Sequence, residues 1–385
     1  MMNPFTFNTT PSLRMGAGLA GEIGQITRPI CGDRVLLVTD PGMMATGLVQ
    51  QVKDGLRAAG VAVMLFDQVQ ADPPESIVLQ AAQKARGATG VIGFGGGSSL
   101  DVAKLAALLA ASDQPLAEAY GVGNARGPRL PLVLVPTTAG TGSEVTPISI
   151  VTTGASEKMG VVSPLLLPDL ALLDPELTLG LPAHVTAATG IDAMVHAIEA
   201  YASVNPNNNP ISRALAVEAL GLMGRMLLRA VQKPDDLEAR TGMLLGSMLA
   251  GQAFANSPVA AVHALAYPIG GHYKVPHGLS NALVLPHVLR FNAQVAPEAY
   301  AELLPHVFLD LRAMGTAKAA AVQFAQSMAD LSQACGLETG LREMGITREA
   351  LPVLARDALN QQRLLVNNPR PIDEAAALEI YEAAW

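Results

Sequence analysis

The chain has 385 residues, 50% of them hydrophobic and 15% charged, which excludes a disordered chain and predicts two domains rather than one core. A net charge of −8, no dense Lys/Arg cluster and an aromatic content of 4% exclude a nucleic-acid binder, whether electrostatic or stacking-based. No apolar run is long enough to cross a bilayer, and the N-terminus lacks the charged and apolar regions of a signal peptide, so no membrane partner is expected.

Short apolar runs at 34–39, 61–66, 90–94 and 132–136 predict buried parallel strands. Stretches at 77–85 and 100–111 between them carry helical spacing. Strand–helix alternation of this kind predicts an open α/β sheet with helices on its faces. The pattern changes at 178–182. Beyond it come long Ala/Leu/Met/Glu segments at 183–203, 210–232, 236–255, 258–272 and 278–292, with a break at the Asn/Pro-rich loop 205–210. The expected organisation is therefore an α/β domain over 1–182 and an all-helical domain over 183–385.

Gly95-Gly-Gly-Ser-Ser99 lies between a predicted strand and a predicted helix opening at Leu100. Glycines let the backbone approach a phosphate there, and a helix N-terminus adds partial positive charge. The stretch is neither G-x-G-x-x-G, since Gly93-x-Gly95 is followed by Ser98, nor a P-loop. The structural alternative is a tight strand–helix turn. Asp40 ends the first strand, where a carboxylate accepts from an adenosine ribose hydroxyl and repels a 2′-phosphate, favouring NAD over NADP; it also reads as a turn-initiating Asp before Pro41-Gly42. The hydroxyl- and Gly-rich stretch 136–144 follows another strand and is placed to line the same crevice. Lys158, downstream, reads either as a phosphate partner or as a solvated surface Lys.

Only Cys31 and Cys335 are present, which excludes a disulfide framework or a Cys-rich metal site and fits a reducing, cytoplasmic compartment. Among seven histidines, His196 stands four residues after Asp192 on one face of an apolar predicted helix. A carboxylate buried there needs a partner or a metal. His263 sits in a second apolar segment and His277 opens the next. One Asp and three His form a nitrogen/oxygen set suited to Fe²⁺ or Zn²⁺. Taken singly, each His also reads as a hydrogen-bonded core residue.

These stretches together resemble the iron-containing (metal-dependent, group III) alcohol dehydrogenase family, near its lactaldehyde reductase branch. The resemblance runs through 95–104, 136–146, 188–199, 262–271, 276–278 and the Asn368-Pro-Arg-Pro371 tail. It implies a Rossmann-like N-terminal NAD(H) domain, an all-α C-terminal domain and a cleft between them, as in dehydroquinate synthase-like folds. It implies one divalent metal, Fe²⁺ or Zn²⁺, held by Asp192, His196, His263 and His277. It places Gly95, Gly96, Gly97 and Ser98 on the pyrophosphate, with Ser99, Asp101 and Thr141 in the same cofactor site. Asp40 would meet the ribose, Thr137 and Thr138 the nucleotide, and Lys158 the cleft; Phe254, Ser149 and Val151 would line the substrate pocket. The implied reaction is hydride transfer between NAD(H) and a small primary or secondary alcohol or aldehyde, with the metal as Lewis acid. Asp192, His263, His277 and Tyr267 would form the catalytic group. Many relatives carry a second His where this chain has Tyr267, which leaves Tyr267, His272 or ribose and water as proton routes. The family habit implies a homodimer or larger assembly. Two other readings stand beside this one: a dehydroquinate synthase-like lyase, whose substrate needs basic residues that the site region lacks, and a non-catalytic binding module.

Overall fold

The computed structural model describes residues 4–154, 157–313 and 315–385. Among these, the strands are β1 (Leu13–Met15), β2 (Arg34–Val38), β3 (Ala62–Phe66), β4 (Gly90–Gly95), β5 (Gly121–Val122), β6 (Leu132–Pro136), β7 (Ile148–Thr153), β8 (Glu157–Val162) and β9 (Leu170–Leu173). Six form a wholly parallel sheet in the order β1-β9-β6-β4-β2-β3. Its inner strands β4, β6 and β9, and β2 after Arg34, read as unbroken apolar runs because both faces are covered. Leu36, Val38, Val91, Leu132 and Leu134 feed one core, while Val35, Leu37, Ile92, Phe94, Val133 and Val135 feed another. The helices of this region are α1 (Ile23–Cys31), α2 (Pro41–Ala45), α3 (Leu48–Ala58), α4 (Glu75–Ala85), α5 (Gly97–Ala111) and α6 (Leu116–Ala119).

The register positions the chemistry. Gly95 of β4 pairs with Pro136 of β6, so the glycine turn and the Thr137 loop leave the sheet side by side at its carboxyl edge. Helix α5 begins at Gly97, three residues before the expected Leu100, which puts Ser98 and Ser99 in its first turn.

The sequence reading missed β1, β9 and a second, three-stranded sheet in the order β5-β8-β7. Strand β9 is four buried residues, Leu-Ala-Leu-Leu, with no β-branched residue and no alternation to separate it from a helix fragment.

The remaining helices are α7 (Ala183–Ala202), α8 (Pro210–Gln232), α9 (Leu237–Asn256), α10 (Ala261–Tyr273), α11 (His277–Asn292), α12 (Pro297–Val307), α13 (Ala317–Ala334), α14 (Leu351–Ala358), α15 (Gln362–Leu365) and α16 (Glu374–Ala384). Helix α10 starts three residues later than expected, and α11 one residue earlier, so that His277 is its first residue. Gly190 lets α7 lie close to its neighbours, since a Cβ there would meet Leu227 of α8 and Met243 of α9.

The chain divides into two compact units, Asn8–Gly180 and Leu181–Trp385, the second joined by the segment ending at Phe7. Thr6 exchanges two 2.9 Å hydrogen bonds with Asn207, which ties that segment to the helical unit instead of the α/β unit expected over 1–182. Among the described residues no helix is long and apolar enough to cross a membrane.

Candidate metal centre and cofactor site

Asp192 and His196 lie one turn apart on α7, and α10 brings His263 to them. One ligand atom from each falls within 4.8 Å of the others. His277 Nε2 is 3.7 Å from Asp192 Oδ1, and His263 Nε2 is 3.8 Å from the same oxygen. The rings of His196 and His263 stack at 4.7 Å, and those of His263 and His277 lie tilted at 5.4 Å. All four residues singled out in the sequence therefore converge. Asp192, His196 and His263 are buried, whereas the His277 side chain is 42% exposed and forms the solvent-reaching side. Gly278 makes this approach possible: a Cβ there would strike the Ala188 carbonyl of α7 and come within 3.3 Å of Asp192 Cβ.

The donor set fits a divalent cation. Burial pushes the Asp192 carboxyl up, but the imidazoles of His196, His277 and His263, together with the Asn281 amide, hold it below the usual carboxylate range. His263 Nε2 and Asn281 Oδ1 are buried without a hydrogen-bond partner. Such orphaned atoms are costly, and a bound ion accounts for an imidazole lone pair aimed at a carboxylate. Asn281 Nδ2 donates to Asp192 Oδ1 at 2.6 Å.

Phe254 stacks on His196 at 4.3 Å and so flanks the cluster. The Tyr267 ring lies 5.8 Å from that of His277. Burial pushes its phenol up, against the lowering effect of Arg363, so it stays protonated in the neutral range. His272 is instead half-exposed and paired with Asp357 at 2.6 Å.

In the α/β unit, Gly95 adopts φ +148°, a conformation that favours glycine, and a Cβ there would meet Ser99 Oγ at 2.8 Å. A Cβ on Gly97 would lie 2.7 Å from Thr141 Cγ2, and one on Gly96 would lie 3.7 Å from Thr138. The glycines thus let Thr138 and Thr141 close over the first turn of α5, whose leading N–H groups have no partner within the helix. Asp40 accepts from Met43 N at 2.9 Å, capping α2, and from Ser99 Oγ at 3.1 Å. Thr137 Oγ1 contacts Met43 Sδ at 3.4 Å.

Four expected site residues have partners within the α/β unit. Asp101 Oδ1 accepts from Ser143 Oγ (2.6 Å) and Lys104 Nζ (3.4 Å), and Oδ2 accepts from Ile150 N (2.9 Å). Its carboxylate ties the 143–150 segment to α5. Lys104 is fully buried and also donates to Ser143 Oγ, Thr146 Oγ1 and Ile148 O. Lys158 is paired with Asp72 at 2.6 Å and Thr152 at 2.9 Å. Ser149 is buried with its hydroxyl on Asp101 O, and Val151 belongs to the sheet core.

Residues 10–175 match the family profile "Iron-containing alcohol dehydrogenase", and residues 186–385 match "Fe-containing alcohol dehydrogenase family, C-terminal". This chain belongs to the iron-containing alcohol dehydrogenase family. It is 40% identical over 383 residues to long-chain-alcohol dehydrogenase 1 of Geobacillus thermodenitrificans, covering 97% of this chain and 95% of that one. The crystal structure of a 1,3-propanediol oxidoreductase superposes with a TM-score of 0.94 at 34% identity, covering 99% and 100% of the two chains. Sulfoacetaldehyde reductase from Bifidobacterium kashiwanohense, in complex with NAD⁺, gives 0.86 at 30% identity, covering 99% and 98%. The chain is accordingly an NAD-dependent, metal-dependent alcohol dehydrogenase, not a lyase or a binding module.

In this alcohol dehydrogenase three residues around the cluster were given no role by the sequence reading: Glu199, Asn281 and Gly278. Glu199 carried a signal, since it follows Asp192 by seven residues and so shares its helix face. Asn281 and Gly278 act through the approach of α11 to α7, which no local pattern reports.

Proposed function

We propose that Asp192, His196, His263 and His277 hold one divalent ion, Fe²⁺ with Zn²⁺ as the alternative occupant, and that the enzyme interconverts a small primary or secondary alcohol and its carbonyl product with NAD⁺/NADH. The observation that carries this reading is the partnerless, buried Nε2 of His263 facing Asp192. When bound, the metal supplies a Lewis acid to the substrate oxygen, and the nicotinamide supplies the hydride acceptor or donor.

The residues around these groups have defined tasks in the proposal. Asp192 supplies the anionic charge of the ligand set. Phe254 gives an apolar wall beside His196 and turns aside charged substrates. Tyr267, its ring beside that of His277 and its hydroxyl neutral and hydrogen-bonded to Arg363, is the candidate donor to a carbonyl oxygen and relay for the proton of an alcohol. In the α/β unit, the N–H groups of Gly97, Ser98 and Ser99 receive the pyrophosphate, with Thr138 and Thr141 alongside. Asp40 accepts from the adenosine ribose and disfavours the phosphate of NADP. The two buried thiols support a cytoplasmic enzyme, and the family habit supports a homodimer or larger assembly with no nucleic-acid or membrane partner.

The test is NADH oxidation with a panel of short aldehydes, using metal-stripped, Fe²⁺-loaded (anaerobic) and Zn²⁺-loaded protein beside His263→Ala. Metal-dependent turnover that falls roughly 10³-fold or more in the variant is expected, because several kcal/mol of transition-state stabilisation goes with the ion. Equal turnover by stripped and loaded enzyme would sink the metal assignment.

A further inference from the structure

We infer that Glu199 is a positioning residue that locks the tautomer and ring orientation of His263 and thereby sets the metal affinity of the cluster. This rests on the metal reading above. Glu199 lies on α7, 6% exposed, and spends both oxygens on α10. Oε1 accepts from Val262 N at 2.6 Å, and Oε2 lies 2.7 Å from His263 Nδ1.

Each contact constrains the other. Val262 N belongs to the first turn of α10, where N–H groups lack intrahelical partners, and the residue preceding that helix, Ala260, offers no side-chain cap. A carboxylate reaching across from α7 takes the place of the missing cap and meets the positive end of the helix. The same carboxylate, which can only accept, requires the proton of the His263 ring to sit on Nδ1. Nε2 is then left with a lone pair, and it is the buried atom without a partner. The opposite tautomer would set two lone pairs against each other across 2.7 Å and point an N–H where a cation has to bind. One side chain therefore fixes both the start of the helix that delivers His263 and the ring atom it presents.

Glu199→Gln separates these tasks. The amide has one acceptor for two donors, and its NH₂ turned towards Nδ1 favours the Nε2–H tautomer. We expect metal affinity, measured by anaerobic Fe²⁺ and by Zn²⁺ titration, to fall about 10–100-fold while NADH binding is unchanged. Glu199→Asp keeps the charge but withdraws it by one methylene, and should fall between the two. The independent readout is ¹⁵N NMR of the His263 ring in metal-stripped protein, with the proton expected on Nδ1 in the wild type and moved to Nε2 in Glu199→Gln. A wild-type ring protonated on Nε2, or a folded Glu199→Gln with unchanged tautomer and metal affinity, overturns the inference. Should Glu199→Gln not fold, the wild-type ring and Glu199→Asp still decide. A wild type that binds no ion yet shows the expected tautomers would count against the metal reading and leave the role of Glu199 standing.

Discussion

The two units build their sites from different atoms. In Asn8–Gly180 the candidate cofactor site is mostly backbone: glycines with no Cβ, the N–H groups opening α5 and a few hydroxyls. In Leu181–Trp385 the candidate metal site is side chain, with His263 held by Glu199 and Asp192 by Asn281. The first kind of site is damaged by adding atoms and the second by removing them. Beside the backbone site lies an ionic hub, Lys104–Asp101, that fixes the segment following the Thr141 loop.

The strongest way to break this contrast is to disturb the hub. Lys104→Met leaves the part-buried Asp101 carboxylate without its cation and Ser143, Thr146 and Ile148 without their donor, which costs about 1–3 kcal/mol. Thermal unfolding should show a large loss of stability in the α/β unit while Zn²⁺ affinity in the helical unit holds; an unchanged melting profile would remove the hub from the account.

A pH titration sharpens the same point. Burial pushes the Glu144 carboxyl up to about 7, although its backbone hydrogen bond and Lys104 pull it down. Folded protein therefore keeps a proton that unfolded protein releases above its ordinary value of 4.5. The stabilisation is complete below that value and is lost as pH rises through 7, by about 3 kcal/mol in all. Urea midpoints should fall between pH 5 and pH 8 by more in the wild type than in Glu144→Gln; parallel profiles would show that Glu144 is not held protonated.

Adding one carbon probes the backbone site. Gly97→Ala places a Cβ 2.7 Å from Thr141 Cγ2, an overpacking of about 1–3 kcal/mol. NADH affinity by fluorescence titration should weaken about tenfold with metal content unchanged, and wild-type affinity would mean that the Thr141 loop yields freely. The smallest effect belongs to Asp40→Gly. Losing the cap on α2 costs only a few tenths of a kcal/mol, while the preference for NAD over NADP should narrow. Undiminished discrimination would show that Asp40 does not read the ribose.

Legibility followed the kind of interaction. The four clustered residues stood out because ligand-type side chains in apolar helices are chemically conspicuous, and Asp192/His196 spacing needs only local helix geometry. The apolar runs of β2, β4 and β6 were readable because both faces are buried. The partners of Asp101 were not legible: only the fold reveals Ser143 and Ile150 on its carboxylate, more than forty residues away. The burial of Ser149 and Val151 was illegible for the same reason, since it depends on a small sheet that local alternation did not disclose.

The pairing of β1 with β9 bears on how the protein is made. Leu13 lies beside Ala171, so the earliest strand to leave the ribosome has no neighbour until roughly 160 residues more have been added, about 8–30 s at ordinary synthesis rates. The central strands β2, β3 and β4 find their partners within a much shorter stretch of chain. The nascent sheet therefore grows from its middle, carrying a loose leading end. The last edge to zip is the one that joins the beginning of the α/β unit to its end, and synthesis slowed before β9 emerges would prolong the interval in which a chaperone can engage that end.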